Sequence, residues 1–315
     1  MVVAYSEKEI QRQPDSVVTI GTFDGVHLGH RAIIHEMKSR AMRRKARSLA
    51  ITFTPHPREV VGKGPVQYLS TVEERLEIFE QLDVDLTLVL KFTYEFSRLS
   101  PRTFYNDVVV RYIGVREVVV GHDHMFGRDR EGGVEALEAI GKEAGFTTVT
   151  VPPVTVGGET VSSSAIREHL LRGEVGRAGE LLGSPYSITG RVVEGSSRGE
   201  KLGFPTANIE PNQANKVVPA LGVYCVRIDH GTDQFYGMMN VGVRPTFETD
   251  HRRVLEVHIF DFGENLYNQV LSVTFLRRLR PERKFSSQGE LIAQLNNDKE
   301  ECLKYLSELY QQKNF

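Results

Sequence analysis

An apolar strand is joined to an amphipathic helix through a turn with three glycines near the start of the chain. Residues 17–20 read VVTI, the glycine turn at 21–30 reads GTFDGVHLGH, and apolar side chains then recur at helical spacing. Glycine has no Cβ, so its backbone can approach a ligand closely, and the first N–H groups of a helix attract anions. This arrangement predicts an α/β unit with a phosphate-binding site where the strand meets the helix.

Two histidines distinguish this turn from the common phosphate-binding motifs. A Walker loop needs Gly-Lys-Ser/Thr, whereas residues 29–31 read GHR, and the glycine spacing does not fit the dinucleotide fingerprint. His27 and His30 can donate hydrogen bonds to phosphate oxygens and, when protonated, add charge where a pentavalent phosphorus develops it. Capping or surface histidines are the structural alternative. A zinc site is disfavoured, because neither Cys225 nor Cys302 is near in sequence.

The composition fits a globular protein of two domains. The 315 residues are 40% apolar and 25% charged, and the formal net charge of -2 gives no global basic field, so neither a nucleic-acid nor a membrane partner is expected. No obligate protein partner is evident. A cytoplasmic location is expected, because two cysteines cannot form a disulfide framework and no segment approaches the ~20 apolar residues of a membrane span. One basic cluster could bind a polyanion, but a solvated helix face fits it better: Lys38, Arg40, Arg43, Arg44, Lys45 and Arg47.

Short apolar strands alternate with helical stretches from residue 17 to about residue 146. Such alternation implies a parallel sheet covered by helices on both faces, with the ligand site beyond the carboxyl ends of the strands. The predicted strands are 17–20, 48–53, 86–90, 117–121 and 147–151, and the predicted helices are 73–82, 102–113 and 134–144.

The second half changes to strands and turns. Two helical stretches, 165–172 and 175–182, precede a Gly-Ser-Pro break, which predicts domains 1–183 and 184–315. A final helix carries one apolar stripe and is expected to dock on the second domain, with partner binding as the lesser alternative. Successive strands without helices between them indicate a small antiparallel barrel or sandwich: 188–193, 223–228, 235–241, 254–260 and 270–276.

The turn sequence Gly-x-Phe-Asp-Gly-x-His-x-Gly-His resembles the signature of the nucleotidyltransferase domain in the bacterial bifunctional riboflavin kinase/FAD synthetase family. The resemblance implies a Rossmann-like fold in which His27 and His30 stabilise the phosphate being transferred. It also implies that the other residues of the motif bind the nucleotide: Gly21, Phe23, Asp24, Gly25 and Gly29.

Three hydroxyl residues and an arginine, in the string SSSAIR, lie at the start of a predicted helix. Such groups can hold a triphosphate, although an N-cap box of Ser163 and Glu168 is an equal alternative. The string resembles the family motif Ser-Ser-Thr-x-x-Arg, which implies that Ser162, Ser163, Ser164 and Arg167 hold the leaving pyrophosphate. Ala165 stands at a position where members of the family often have an arginine, so this chain lacks one cation there.

Two further segments resemble loops of the family. Residues 121–127, GHDHMFG, follow a strand and resemble Gly-x-Asp-Phe-x-Phe-Gly, with His124 in place of the first phenylalanine. The resemblance implies flavin contacts from Asp123 and Phe126, whereas the residues alone fit a polar active-site loop or a surface loop equally. The segment TFTPHP resembles Thr-Phe-x-Pro-His-Pro, in which His56 is either a flavin contact or structural.

The second half carries a Gly-rich basic loop followed by an unusual string. Residues 190–209 read GRVVEGSSRGEKLGFPTANI, and such a loop can wrap phosphates through its N–H groups or simply join a hairpin. GFPTAN resembles the flavokinase signature Gly-x-Pro-Thr-Ala-Asn, and the neutral oxygens of Thr206 and Asn208 suit Mg²⁺ bound to ATP. The nucleotide-binding residues of this loop are then Gly199, Lys201 and Gly203.

A kinase also needs a group that takes the proton from the attacking hydroxyl. Residues 255–259, LEVHI, alternate apolar and polar side chains, so periodicity alone places Glu256 on a solvated strand face. The resemblance instead implies that Glu256 is the general base of the flavokinase, a weak base whose value lies in its position. Arg244 either belongs to the flavin phosphate site or neutralises the surface.

Together the resemblances imply two successive ATP-dependent reactions. An all-β barrel domain with a C-terminal helix would phosphorylate riboflavin to FMN with Mg²⁺, and the N-terminal domain would adenylylate FMN to FAD with release of pyrophosphate. Another transferase of the same superfamily is one alternative, against which the Pro-Thr-Ala-Asn string argues. A flavin-binding regulator without activity is another, against which the retained His27, His30 and Arg167 argue.

Overall fold

The computed structural model describes residues 1–62, 64–125, 132–195, 202–243 and 253–313. Their contacts divide the chain into a first unit, Met1–Ser163, and a second unit, Ser164–Phe315. Four residues that the sequence assigns to binding sites lie outside the described ranges: Phe126, Gly199, Lys201 and Arg244.

A six-stranded parallel sheet forms the centre of the first unit. Its strands are β1 (Val2–Ala4), β2 (Ser16–Ile20), β3 (Ser48–Thr54), β4 (Leu86–Lys91), β5 (Val115–Gly121) and β6 (Thr147–Val151). They lie in the order β1-β4-β3-β2-β5-β6, and all neighbours are parallel. The five strands predicted from alternation are confirmed. The three-residue β1 was not predicted, because so short a segment carries no periodicity.

Helices cover both faces of this sheet. They are α1 (Leu28–Arg44), α2 (Pro57–Val60), α3 (Val72–Gln81), α4 (Tyr94–Ser97), α5 (Pro101–Phe104), a π-helix (Tyr105–Ile113) and α6 (Val134–Ala144). A 3₁₀ turn (Glu7–Glu9) and the hairpin β7 (Thr155–Val156) and β8 (Glu159–Thr160) complete the unit. The single helix predicted at 102–113 is therefore an α-turn followed by a π-helix.

Alternating side chains of the strands separate two cores. Val18 and Leu49 pack in the core that contains the π-helix, whereas Val17 and Ala50 pack in the core that contains α1. Because β2 lies between β3 and β5, the chain winds to both sides of it, and a ligand crevice is expected beyond the carboxyl ends of β2 and β5. The glycine turn follows β2 at this edge.

A closed barrel forms the second unit. Its strands are β9 (Ser187–Val193), β10 (Ala207–Pro211), β11 (Gly222–His230), β12 (Asp233–Val243), β13 (Arg253–Ile259) and β14 (Val270–Pro281). They close in the order β10-β13-β12-β11-β14-β9, and all neighbours are antiparallel. The barrel alternative is thus confirmed over the sandwich. Strand β10 was not predicted, because its residues lie within the string that we interpreted as a loop.

The remaining helices are α7 (Ser163–Arg172), α8 (Val175–Leu182) and α9 (Gln288–Lys313). Buried Cys302 and Leu306 of α9 pack in one cluster with Cys225 and Met238 of the barrel, so the final helix docks as expected. Helix α8 packs against β14, and contacts group α7 and α8 with the barrel. The domain limits at 183 and 184 stay a prediction.

The basic cluster on α1 is largely committed to ion pairs within the chain. Arg40 and Arg44 both pair with Glu117, at 3.0 and 3.1 Å, and Lys38 pairs with Asp83 at 3.2 Å. These contacts favour the intramolecular interpretation over a polyanion site. Within the described ranges, no helix is both long and apolar enough to cross a membrane.

Candidate active sites

The glycine turn is held in backbone conformations that few residues adopt. Gly25 has a φ of 86°, and Phe23 and Val26, which are not glycines, have φ values of 49° and 36°. Both side chains are buried in the core beside α1, so packing holds them in the left-handed region in spite of its cost. Backbone strain of this kind concentrates at functional sites.

The two histidines form a stacked pair at the N-terminus of α1. His27 is the N-cap, and its Nδ1 accepts a hydrogen bond from the His30 backbone N–H at 3.3 Å. The ring centroids lie 3.6 Å apart, with planes inclined by 17°. Gly29 permits this contact, because a Cβ there would lie 3.2 Å from the His27 ring. Since Nδ1 accepts, a neutral His27 carries its proton on Nε2 and can donate from there.

His30 is an uncharged group near neutral pH. Its pKa lies well below the ordinary 6.5 because burial disfavours the imidazolium, and the charges of His27 and Arg75 lower it further. The buried Nδ1 of His30 has no hydrogen-bond partner within the described residues. A neutral ring with an unpartnered nitrogen suits hydrogen bonding to a phosphate, whereas the sequence also allowed a charged imidazolium.

Asp24 shapes the turn with its carboxylate. Oδ1 accepts hydrogen bonds from the backbone N–H groups of Leu69, at 2.9 Å, and Ser70, at 3.0 Å. The Ser70 hydroxyl in turn accepts from the Gly25 N–H at 2.7 Å, and the Asp24 carbonyl accepts from the Ser163 hydroxyl at 2.9 Å. The loop before α3 and the first residue of α7 therefore fix the turn together.

The N-cap box considered for α7 stays a prediction. The Ser163 hydroxyl donates to the Asp24 carbonyl of the glycine turn, and the Glu168 carboxylate pairs with an arginine one turn later. Ser162 and Arg167 are half-buried, and Ser164 is exposed. The assignment of these residues to the leaving pyrophosphate stays a prediction.

A buried arginine that the sequence did not single out contacts the glycine turn. Arg75, on α3, has only 4% of its surface exposed. Its guanidinium donates to the Thr22 carbonyl in the turn at 2.5 Å, and to the Thr52 hydroxyl and the Phe53 carbonyl of β3 at 2.7 and 3.4 Å. In the string EERLE this arginine has the pattern of a solvated helix face, so only its tertiary contacts reveal it.

Two of the residues assigned to the flavin, His56 and Asp123, follow the ends of β3 and β5. His56 is the N-cap of α2, where its Nδ1 accepts from the Arg58 N–H at 3.1 Å. Asp123 is exposed after β5, and the neighbouring His124 forms a hydrogen bond with the hydroxyl of buried Tyr105 at 3.2 Å. His56 thus has a structural role, and flavin contacts from His56 and Asp123 stay predictions.

In the barrel, strand register places the predicted kinase residues in one row. Asn208 on β10 is paired with Glu256 on β13, and Glu256 is paired with Asn240 on β12. Val223 on β11 is paired with Asn240 on one side and with Arg280 of β14 on the other, so the row extends to Arg280. Side chains of directly paired residues project from the same face of a sheet, so these polar groups share one face of the barrel.

Asn208 presents a buried oxygen without a partner. The residue is 7% exposed, and its Oδ1 has no hydrogen-bond partner in the described part of the chain. Gly195 packs against the amide so closely that a Cβ there would lie 1.9 Å from Nδ2. A buried neutral oxygen that lacks a donor fits a metal ligand, because a cation would replace the missing hydrogen bond. Thr206, two residues earlier, is exposed.

Three residues of the row, Glu256, Asn240 and Arg280, line a cavity of about 630 Å³ between the barrel and α9. Glu256, Asn240 and Arg280 supply polar groups, and Leu291 and Leu295 of α9 supply an apolar wall. Apolar walls with a few placed polar groups are typical of small-molecule sites. Glu256 is therefore part of a binding cavity, which its strand periodicity alone does not show.

Thr206 lines both this larger cavity and a smaller one of about 450 Å³. Phe262 and Tyr267 contribute aromatic rings to the smaller cavity. Two ligands, one in each cavity, would therefore meet at Thr206, which is the geometry that transfer of a group between them needs.

His258 is a further residue of this site that the sequence did not assign. Its Nδ1 forms a hydrogen bond with the Pro205 carbonyl at 2.8 Å, and its ring packs edge-to-face on Phe204 with centroids 5.1 Å apart. Burial lowers the pKa of His258, so a neutral ring donates this hydrogen bond. The alternation in LEVHI indicates that His258 shares a face with Glu256, but only the fold shows the contact.

Known proteins resemble this chain in both units. Residues 9–165 match the family model of FAD synthetase, and residues 182–306 match that of riboflavin kinase. The proteins named bifunctional riboflavin kinase/FMN adenylyltransferase from Listeria monocytogenes and Bacillus subtilis are each 35% identical to this chain, over 94% and 95% of both sequences. The relative from Escherichia coli is 36% identical over 91% of each chain.

A solved structure shows the same architecture. The crystal structure described as a macrolide-efflux protein from Streptococcus pneumoniae is 30% identical and superposes with a TM-score of 0.86. The match covers 95% of this chain and 97% of that one, so it includes both the parallel sheet and the barrel.

The fold and the two sites define a transferase that combines an α/β nucleotidyltransferase unit with a flavokinase barrel. The chain belongs to the family of bifunctional riboflavin kinase/FMN adenylyltransferases. The fold class expected from the sequence is thereby confirmed. Kinases and adenylyltransferases of these two families use ATP with a divalent metal ion.

Proposed function

We propose that this chain makes FMN from riboflavin at the larger cavity and FAD from FMN at the glycine turn. The observation that carries the proposal is the row of Asn208, Glu256 and Asn240, because strand register aligns an unpartnered oxygen with a carboxylate beside the cavity. Membership of the family supports both reactions, since the relatives are named for them.

In the kinase reaction, the terminal hydroxyl oxygen of riboflavin attacks the γ-phosphorus of ATP. The bond from that phosphorus to the β–γ bridging oxygen breaks, and ADP leaves. Glu256 takes the hydroxyl proton, which requires a well-placed carboxylate rather than a strong base. Riboflavin would occupy the larger cavity and ATP the smaller, so that the reacting atoms meet beside Thr206.

Mg²⁺ would be held by Asn208 and Thr206 together with the phosphates of ATP. The unpartnered Oδ1 of Asn208 supports this assignment. Neutral oxygens are sufficient here, because the phosphates themselves supply the negative charge that the cation needs. When bound, the cation neutralises charge on the phosphates during transfer. His258 would hold the segment that contains Thr206 and Asn208 in place through its hydrogen bond with the Pro205 carbonyl.

In the adenylyl transfer, a phosphate oxygen of FMN attacks the α-phosphorus of ATP, and pyrophosphate leaves. The nucleophile is already an anion, so the protein contributes position and stabilisation of charge rather than a base. His27 and His30 would donate to oxygens of the transferred phosphate at the N-terminus of α1, whose dipole favours the same charge. Asp24 acts through the shape of the turn, since its carboxylate already accepts backbone hydrogen bonds.

The test uses purified protein with riboflavin, ATP and Mg²⁺, followed by chromatographic separation of FMN and FAD. We expect the wild type to form FMN and then FAD. His30→Ala should accumulate FMN while FAD formation falls about 10²-fold or more, and Asn208→Ala should form FAD only from supplied FMN. A wild type that makes no FMN excludes the kinase, and a His30→Ala protein that makes FAD at the normal rate excludes its role.

A further inference from the structure

We infer that Arg75 is a positioning residue for adenylyl transfer, which anchors the glycine turn and places a fixed positive charge behind the phosphates. The inference rests on the proposed role of the glycine turn. Arg75 is not part of the turn motif, because it lies on α3, 50 positions after Gly25 in the chain.

Arg75 belongs to α3, and its side chain reaches back to the glycine turn. Its guanidinium joins three segments of the first unit, because it donates to the Thr22 carbonyl, to the end of β3 and, through Nε, to the Thr71 carbonyl at 3.3 Å. Thr71 is the N-cap of α3 and directly follows Ser70, whose N–H binds the Asp24 carboxylate. A planar guanidinium with five donors can make all of these contacts at once, and a lysine cannot.

The charge of Arg75 is not neutralised by a direct ion pair within the described residues. All of the hydrogen bonds that its guanidinium donates go to carbonyl and hydroxyl oxygens. Burial lowers the pKa of Arg75, but a guanidinium stays protonated at neutral pH, and Asp24 favours the charged form without a hydrogen bond to it. A buried guanidinium without a contacting carboxylate places its positive charge beside the turn, near the Asp24 carboxylate, where the site would receive the phosphates of ATP.

Arg75 also acts on the neighbouring histidine. Its charge is one of the causes that keep the pKa of His30 low, after burial and the charge of His27. The same side chain therefore favours a neutral His30, which suits hydrogen bonding to an anion better than protonation of the ring.

Arg47 provides a matched control at the opposite ends of the same strands. It directly precedes β3, and its guanidinium donates to the Gln11 carbonyl at 2.9 Å, the Ser16 hydroxyl at 3.2 Å and the Ile113 carbonyl at 3.4 Å. Burial lowers the pKa of Arg47 as well. Arg47→Met therefore removes a comparable set of hydrogen bonds far along the strands from the glycine turn.

The test measures FAD formation from supplied FMN, with FMN formation from riboflavin as the internal reference for each variant. Arg75→Met should lower kcat/KM for ATP in adenylyl transfer about tenfold or more, as expected for the loss of a nearby charge in a partly buried site. Arg47→Met should stay within about twofold of the wild type. In NMR titrations of labelled histidine, the His30 resonance of Arg75→Met should titrate at higher pH than in the wild type.

Arg75→Lys keeps the positive charge but loses most of the hydrogen bonds, so it separates the two contributions. It also provides a second variant to measure if Arg75→Met does not fold. It should keep the titration of His30 near that of the wild type and recover part of the lost kcat/KM. An Arg75→Met protein that makes FAD within twofold of the wild type, or whose His30 titrates unchanged, overturns the inference. A lysine variant as poor as the methionine variant does so too. Failure of the proposed function itself is distinct, because the wild type would then make no FAD.

Discussion

The glycine turn and the barrel cavity both serve phosphate chemistry, but they are built from different parts of the protein. At the turn, one continuous segment supplies the helix N-terminus and both histidines, and backbone hydrogen bonds to Asp24 hold its shape. In the barrel, the polar groups come from β10, β12, β13 and β14, and strand register brings them into one row.

The difference follows from the two nucleophiles. FMN attacks with a phosphate that is already ionised, so its site needs donors and a favourable potential but no base. Riboflavin attacks with a hydroxyl whose proton must leave, so its site needs a carboxylate at a defined position. Glu256 would meet that need in the proposed kinase reaction, whereas the Asp24 carboxylate of the turn accepts hydrogen bonds from backbone N–H groups.

The largest expected effect tests whether only the barrel depends on a base. Glu256→Gln keeps the shape of the side chain but cannot take a proton, so riboflavin phosphorylation should fall about 10²- to 10³-fold. FAD formation from supplied FMN should be unchanged. Initial rates of both reactions give the answer, with Glu210→Gln, an exposed carboxylate on β10, as control. Kinase activity within threefold of the wild type would remove the proposed contrast between the sites.

A smaller effect is expected from a methyl group placed against Asn208, the proposed metal ligand. In Gly195→Ala the new Cβ would lie 1.9 Å from the Asn208 amide, so Asn208 must move and kinase kcat/KM for ATP should fall about tenfold or more. Raising the Mg²⁺ concentration should recover part of the loss. Gly176→Ala on α8 is the control, because its Cβ would meet nothing within 4 Å. Equal activity of the two variants would show that Asn208 need not be held in place.

The smallest effect concerns stability and should arise in the first unit. Burial lowers the pKa of His124 to about 4. Below about pH 6.5 the unfolded chain therefore binds more protons than the folded one, and the free energy of unfolding decreases as the pH is lowered. Between pH 7.5 and pH 5 this group should cost about 2 kcal/mol. His124→Phe should show a smaller loss over that range in denaturant titrations. An equal loss in both proteins would assign the pH dependence to other groups.

Short-range patterns predicted much of the first site. The strand, turn and helix around His27 and His30 are contiguous, so local periodicity and the glycine positions were sufficient to place them. Local patterns failed for Arg75, because a charged residue on an amphipathic helix has the same signature whether it faces solvent or contacts a turn. They also left the capping role of His27 and its phosphate role as alternatives, and the structure shows that Nδ1 of His27 accepts the capping hydrogen bond.

The barrel site depended on register and packing, which sequence spacing does not contain. Asn208 and Glu256 are 48 residues apart, and only the pairing of β10 with β13 makes them neighbours. Glu256 has the periodicity of a solvated face, and it lines a cavity because Leu291 and Leu295 of α9 close the other side.

The sequence by itself determined the two classes of domain, the glycine turn at the start of α1 and most of the residues that would carry the reactions. Those features depend on neighbours within a few residues, where propensity and backbone geometry act. Only the tertiary structure decided that His30 is neutral, that Asp24 serves the turn, that Arg75 lies against it and that Glu256 belongs to a cavity. Burial and the partners of a charge come from segments far apart in the chain, and they set the pKa and the role of each group.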